Sequence, residues 1–296
     1  MDKKKNTAVA LGFFDGLHKG HMSLINATIA SARADNLEPV VIFFDNHPKK
    51  LLSKNPPKTI LQKHIKTQMI ENLGAKIYHV SFKQIMNYSP REFFEVVLLA
   101  QLAAKTIVCG ENYHFGKGGK GDCAMLESLC LEHEVKFIQS KLIEHDGDII
   151  SSTRIRNLIE NGEVKKANEL LNHEFMFEFE VFSGDKRGRT LGFPTINQYF
   201  EDGFIVPRFG VYCSRIYLDD KRYLGVTNVG IRPSVETKKM RSETYIDGFS
   251  GNLYGEKVRV CLLEFLRDER KFDNLKDLEN QIKQDLQNAK DAYKDK

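Results

Sequence analysis

The sequence predicts two folds in series, an α/β unit on a parallel sheet and then a β unit of antiparallel strands with a closing helix. Three observations carry that expectation. Short apolar runs alternate with helical patterns up to about residue 140, apolar residues switch to a period of two beyond Glu174, and residues 274–293 return to helical spacing. A chain of 296 residues also suits two domains better than one.

The elements follow in order. Ala8-Val9-Ala10-Leu11 is short and apolar, as a buried central strand requires. The segment GFFDGLHKGH, residues 12–21, comes directly behind it, and residues 22–34 then set Leu24, Ile25 and Ile29 on one face of a helix. Residues 40–44, 76–80 and 106–109 read as further strands, and residues 90–103 and 121–133 as helices. Such alternation implies a parallel sheet with helices on both faces, which binds ligands beyond the carboxyl ends of its strands. Residues 152–172 read as a helical pair turning at Asn161-Gly162, which places the domains at 1–172 and 173–296. In the second, Phe175, Phe177, Phe179 and Val181 alternate, and residues 211–218, 222–226, 243–246 and 258–265 are strand candidates bounded by turn residues. That many strands suits a small closed barrel. Leu275, Leu278, Ile282 and Leu286 form the apolar stripe of the closing helix.

Composition narrows the function classes. With 44 basic and 40 acidic residues the net charge is +4, too weak to point to nucleic acid. Cysteines 109, 123, 130, 213 and 261 are odd in number and form no C-x-x-C pair, so reduced thiols in a cytoplasmic protein are expected rather than disulfides or zinc. The apolar run near the start ends at Leu11 and meets Asp15, so no signal peptide is expected. No apolar run approaches the ~20 residues of a membrane span.

Five clusters carry chemistry. His18 and His21 lie where a strand hands over to a helix, a junction whose free N–H groups and dipole favour phosphate. Gly12, Gly16 and Gly20 let the backbone approach a ligand there. Two imidazoles in that position can stabilise charge growing on an α-phosphate. Asp45 and His47, in Phe44-Asp45-Asn46-His47-Pro48, follow the second strand and face the same end of the sheet; a hydrogen-bonded turn explains them equally. Cys109-Gly110-Glu111-Asn112-Tyr113-His114-Phe115-Gly116, with the Gly- and Lys-rich tract behind it, suits phosphate, a lid or a solvated loop. Ser151, Ser152, Thr153 and Arg156 open a helix and bring hydroxyls, N–H groups and a guanidinium together, either for terminal phosphates or as a plain cap. The segment from Gly184 to Asn197 joins a glycine-rich loop to Thr195 and Asn197, whose side chains alternate so that both can meet one Mg²⁺ ion. Glu243, on a later strand, is a candidate base for a hydroxyl attacking phosphorus.

With those residues in hand, the chain resembles the prokaryotic bifunctional riboflavin kinase and FAD synthetase family from Ala8 to about Ala289. Residues 12–21, 44–48, 110–116 and 151–156 look like its FMN adenylyltransferase module. Residues 188–197, Phe209-Gly210-Val211-Tyr212, residues 227–233, Glu243-Thr244, Leu253-Tyr254-Gly255 and residues 265–272 look like its riboflavin kinase barrel. H-x-G-H is shared by many nucleotidyltransferases, whereas Phe-Pro-Thr-x-Asn is specific. The resemblance implies a Rossmann-like nucleotidyltransferase domain, a kinase barrel, and two reactions, riboflavin to FMN and FMN to FAD, with ATP as co-substrate and Mg²⁺ as cofactor.

It implies His18 and His21 at the α-phosphate, nucleotide contacts from Gly12, Phe13, Asp15 and Asn112, and pyrophosphate held by Ser151, Ser152, Thr153 and Arg156. In the barrel it implies Glu243 as base, nucleotide held by Gly184, Lys186, Gly188, Arg189, Thr195 and Asn197, and metal held by Thr195 and Asn197. Flavin contacts fall to Asp45, His47, Tyr113, Phe115 and Arg267. The expected partners are small molecules, with neither nucleic acid nor membrane, in a monomer or weak homo-oligomer. A protein active in one half only, or a regulator that binds flavin or RNA without turnover, remains the alternative.

Overall fold

A computed structural model of the chain describes residues 5–44, 55–182, 194–219, 221–233 and 238–293. They divide into two compact units, the first Met1–Pro57 with Lys63–Ser151, the second Lys58–Gln62 with Ser152–Lys296.

The first unit is built on a parallel five-stranded sheet of order β3-β2-β1-β4-β5, with β1 Thr7–Leu11, β2 Glu38–Phe44, β3 Lys76–Val80, β4 Ala104–Gly110 and β5 Lys136–Ser140. Every residue of β1 is buried, as its continuous apolar run requires of a strand covered on both faces. Val9, Leu11, Val40 and Ile42 pack on one face with Phe93, Phe94 and Leu126. By alternation Ala8, Ala10, Val41 and Phe43 point to the other. Helix α1, Lys19–Ala34, joins β1 to β2, and α2, Lys63–Asn72, precedes β3. Both connections step the same way along the sheet, so right-handed crossing sets both helices on one face. Chain order reverses between β1 and β4, and the segments after these two strands flank that switch point, where open α/β sheets bind ligands.

Two elements here differ from expectation. Helix α1 starts three residues early, because the backbone N–H of His21 donates to His18 Nδ1 and that of Met22 to the His18 carbonyl. Residues 90–103 hold only a short α-helical turn, Pro90–Glu92, and continue as a π-helix, Phe93–Gln101, whose wider turns bury Phe93, Phe94, Val97 and Leu98 against the sheet. Helix α3, Cys123–Glu132, covers the same face, its first turn capped by the Asp122 carboxylate.

The second unit is a six-stranded antiparallel sheet of order β8-β13-β10-β11-β12-β9, curled into a half-barrel: β8 Phe175–Glu180, β9 Thr195–Tyr199, β10 Gly210–Leu218, β11 Lys221–Pro233, β12 Lys238–Ile246 and β13 Lys257–Arg267. A two-stranded ribbon, β6 Glu144–His145 and β7 Asp148–Ile149, precedes it in the chain. Among the described residues the barrel closes by a single bridge, Phe182 to Asn197, rather than by a full ladder. Gln198 reinforces that seam, its amide donating to the carbonyls of Phe179 and Val258 at 2.6 and 2.8 Å. Phe175, Phe177 and Phe179 face inward onto Phe200 and Phe204, which explains the period of two in the sequence.

The helical pair α4, Ser152–Glu160, and α5, Val164–Leu171, was expected to end the first domain, but it packs in the second unit. Helix α5 buries Val164, Ala167, Leu170 and Leu171, and Asn168 ties it to the sheet through the Leu262 carbonyl and the Phe175 N–H. The short segment Lys58–Gln62 joins the same unit: Thr59 bridges Phe204, and the Gln62 amide exchanges two hydrogen bonds with the Glu178 backbone. Helix α6, Leu275–Tyr293, is capped by Asn274 and buries Leu286 and Ala289 against β10, β11 and β13.

Candidate active sites

In the first unit the segment after β1 is strained and well anchored. Phe14, Gly16 and Leu17 all take positive φ, at 48°, 82° and 44°. For Phe14 and Leu17 that conformation costs roughly 1–3 kcal/mol each, and it persists because both side chains are fully buried. The reward is placement: His18 arrives as the cap of α1, and the His21 ring stacks on it with centroids 3.6 Å apart. A Cβ at Gly20 would stand 3.2 Å from the His18 ring, so glycine leaves room for the stack.

The capping bond fixes a tautomer. His18 Nδ1 accepts from the His21 N–H, so the ring proton belongs on Nε2, which is left as a donor. His21 is held neutral, its pKa lowered well below the ordinary imidazole value by burial first, then by the charges of His18 and Lys66. Among the described residues its Nδ1 is enclosed without a hydrogen-bond partner. Two stacked imidazoles at a helix N-terminus, His21 held neutral, are suited to hydrogen-bond a phosphate rather than to remove a proton.

Other expected residues lie around this loop or apart from it. Phe13 is exposed and packs on Phe44 at 5.2 Å. Asn112 is exposed just beyond β4. Tyr113 and Phe115, expected to touch flavin, are core side chains: they are 9% and 5% exposed and stack at 6.0 Å, with Phe93 against Phe115. Of the Ser151–Arg156 cluster, Ser151 ends the first unit and the rest opens α4 in the second. There Arg156 Nε donates to the Lys58 carbonyl at 2.7 Å. Asp45, His47, Gly184, Lys186, Gly188 and Arg189 lie outside the described residues.

The second unit encloses a cavity of about 640 Å³. Asn197 on β9 stands directly opposite Glu243 on β12, so both side chains leave the sheet on one face, and both line this cavity together with Thr195. Asn197 is 8% exposed, and its Oδ1 is buried without a hydrogen-bond partner among the described residues. An orphaned carbonyl oxygen beside a threonine hydroxyl is the hard-oxygen donor set a Mg²⁺ ion takes, so these residues fit that metal. Glu243 is ion-paired with Arg241, two residues earlier on the same strand face. Arg267 also lines the cavity and is held by Asp285 of α6 through contacts of 2.8–3.1 Å.

Sequence reasoning missed Lys66, Arg241 and Asp285. Period two on β12 already put Arg241 on the face of Glu243, so that signal was present. Lys66 carries no local signature, and Asp285 is one acidic residue on an amphipathic helix until it meets Arg267.

Comparison with known proteins finds a family match for each half of the chain. The family model for FAD synthetase matches residues 1–154, and that for riboflavin kinase residues 171–293. A bifunctional riboflavin kinase/FMN adenylyltransferase of Bacillus subtilis (strain 168) is 33% identical over 97% of this chain and 93% of its own. One of Listeria monocytogenes is also 33% identical, over 96% and 92%, and one of Escherichia coli (strain K12) 28%, over 98% and 94%. A crystal structure from Streptococcus pneumoniae, described as a macrolide-efflux protein, superposes with a TM-score of 0.89 at 32% identity over 98% of this chain and 95% of its own. Among the described residues here, no helix is long and apolar enough to cross a membrane.

Proposed function

We propose residue roles on one premise: the chain belongs to the family of bifunctional riboflavin kinase/FMN adenylyltransferases. It is an enzyme of flavin cofactor synthesis that phosphorylates riboflavin to FMN with ATP and adenylylates FMN to FAD with release of pyrophosphate. The pairing of Glu243 with Asn197 across β9 and β12, facing one cavity, is the observation that carries the kinase assignment.

In the second unit Glu243 takes the proton of the ribityl 5′-hydroxyl as that oxygen attacks the γ-phosphate. A neutral alcohol is a poor nucleophile, and a placed base contributes roughly 10²–10⁴-fold. Thr195 and Asn197 would hold a Mg²⁺ ion, which when bound neutralises charge on the nucleotide phosphates. Arg241 holds the Glu243 carboxylate in place. Arg267, fixed by Asp285, shapes the flavin side of the cavity.

In the first unit the attacking oxygen belongs to the FMN phosphate, already anionic at neutral pH, so positioning and charge stabilisation replace a base. His18 and His21 donate to the α-phosphate and the oxygen leaving it. Gly12, Phe13, Asp15 and Asn112 contact nucleotide; of the residues that the resemblance gives to pyrophosphate, Ser151 lies in this unit and Ser152, Thr153 and Arg156 lie in the other. All five cysteines are free and buried, which supports a reducing, cytoplasmic setting. The scheme calls only for small-molecule partners and for one chain.

The test is direct. Full-length protein incubated with riboflavin, ATP and Mg²⁺ should yield FMN first and FAD later when flavins are separated by chromatography over time. Riboflavin left unchanged would overturn the kinase roles, and supplied FMN left unchanged would overturn the adenylyltransferase roles.

A further inference from the structure

Lys66 lies in the first turn of α2, and its ammonium sits 4.3 Å from the centroid of the Phe43 ring. Phe43 is buried near the carboxyl end of β2, on the sheet face that carries α1 and α2. Its neighbour Phe44 packs on Phe13, in the segment that positions His18 and His21. The ammonium is therefore beside the candidate adenylyl site, although nothing in its local sequence marks it.

Most lysines keep their charge in water. This one has sunk enough that burial is the largest influence on its proton affinity, which it lowers. Among the described residues Lys66 makes no ion pair or hydrogen bond, and its charge acts on His21 and is acted on by Asp15 and Lys63. A ring face returns only part of what hydration gave the ammonium. The Asp15 carboxylate attracts the Lys66 ammonium and the Lys63 ammonium opposes it, so a further anion at this place would meet an attractive charge.

The reaction supplies one. An oxygen of the FMN phosphate forms a bond to the α-phosphorus, and the bond from that phosphorus to the bridging oxygen breaks. Pyrophosphate leaves with the electron pair, and no proton need be gained or lost. The step drives an anion onto an anion. A neutral His21 donates a hydrogen bond but no charge, so a fixed cation adds what it lacks.

We propose that Lys66 binds the α-phosphate of the nucleotide and offsets the charge that gathers there as FMN attacks. This deepens the adenylyltransferase reading of the first unit and rests on it.

Full-length Lys66→Met, which keeps the length and loses the charge, is assayed with FMN, ATP and Mg²⁺. FAD formation should fall about 100-fold in kcat, the scale of one lost stabilising contact. KM for FMN should move less than threefold, and pyrophosphorolysis of FAD should fall by the same factor as synthesis. Lys66→Arg should recover most of the rate, and FMN formation from riboflavin should match wild type in both variants. FAD formation by Lys66→Met within threefold of wild type overturns the proposal, as does a loss carried by KM for FMN alone. Should Lys66→Met fail to fold, judged by its melting curve, Lys66→Gln replaces it on the same criteria. Wild-type protein inert toward FMN sinks the adenylyltransferase reading itself, whereas active wild type with active Lys66→Met sinks only the role of Lys66.

Discussion

The two units meet the same nucleotide with opposite equipment. In the parallel-sheet unit a strained loop delivers two stacked imidazoles to a helix N-terminus beside a sunken ammonium, and the nucleophile arrives already charged. In the antiparallel unit a carboxylate and an amide stand across a ladder, and the nucleophile is an alcohol whose proton must go somewhere. Each scaffold supplies what its geometry makes natural. Parallel strands end together at loops and helix starts, which gather N–H donors and cations. Antiparallel neighbours hold side chains opposite one another, which keeps the proposed base beside the proposed metal ligand.

If that contrast is right, substitutions should separate the activities. Glu243→Ala should reduce FMN formation by roughly 10²–10⁴-fold while FAD formation from supplied FMN continues; near-normal phosphorylation would remove the base from the scheme. His21→Ala should lower FAD formation by about 10²–10³-fold and spare FMN formation, so loss of both together would break the independence of the sites.

A third substitution sharpens the comparison through stability. Asp285 is almost wholly enclosed, and replacing it with alanine leaves Arg267 without its partner beside the cavity. Destabilisation of the second unit by about 3 kcal/mol is expected in denaturant unfolding. FAD formation should survive to the same denaturant concentration as in wild type.

The smallest effect is one of pH. His21 is held neutral, with its folded-state pKa below that of the unfolded chain. The unfolded chain therefore takes up a proton first as pH falls through the ordinary imidazole value, and the first unit is at full stability above that range and loses it below. One proton limits the slope to about 1.4 kcal/mol per pH unit. Urea midpoints measured across that range should decline toward acid in wild type and decline less in His21→Gln.

Much of this was legible in the sequence, for reasons that differ by residue. The buried run before Gly12 and the glycines behind it announced a strand, a tight loop and a helix, because each is a local constraint. Thr195 and Asn197 could be grouped because alternation alone assigns a strand face. The register that sets Glu243 opposite Asn197 is a long-range pairing, and only the fold shows it. Tyr113 and Phe115 meet a similar limit: an aromatic residue in a ligand-like loop reads the same whether its ring meets a ligand or packs under Phe93. The helical pair at residues 152–171 was legible as helices, but which sheet its apolar stripe covers was not.

The five residues Lys58–Gln62 have a practical corollary. They precede most of the first unit in sequence yet belong to the second, where Thr59 meets Phe204, Gln62 meets the Glu178 backbone and the Lys58 carbonyl receives Arg156. The polypeptide is thus threaded rather than concatenated. A C-terminal fragment beginning at Ser152 would leave those three partners behind, and a split gene would have to restore them in trans before its kinase half could match the intact enzyme.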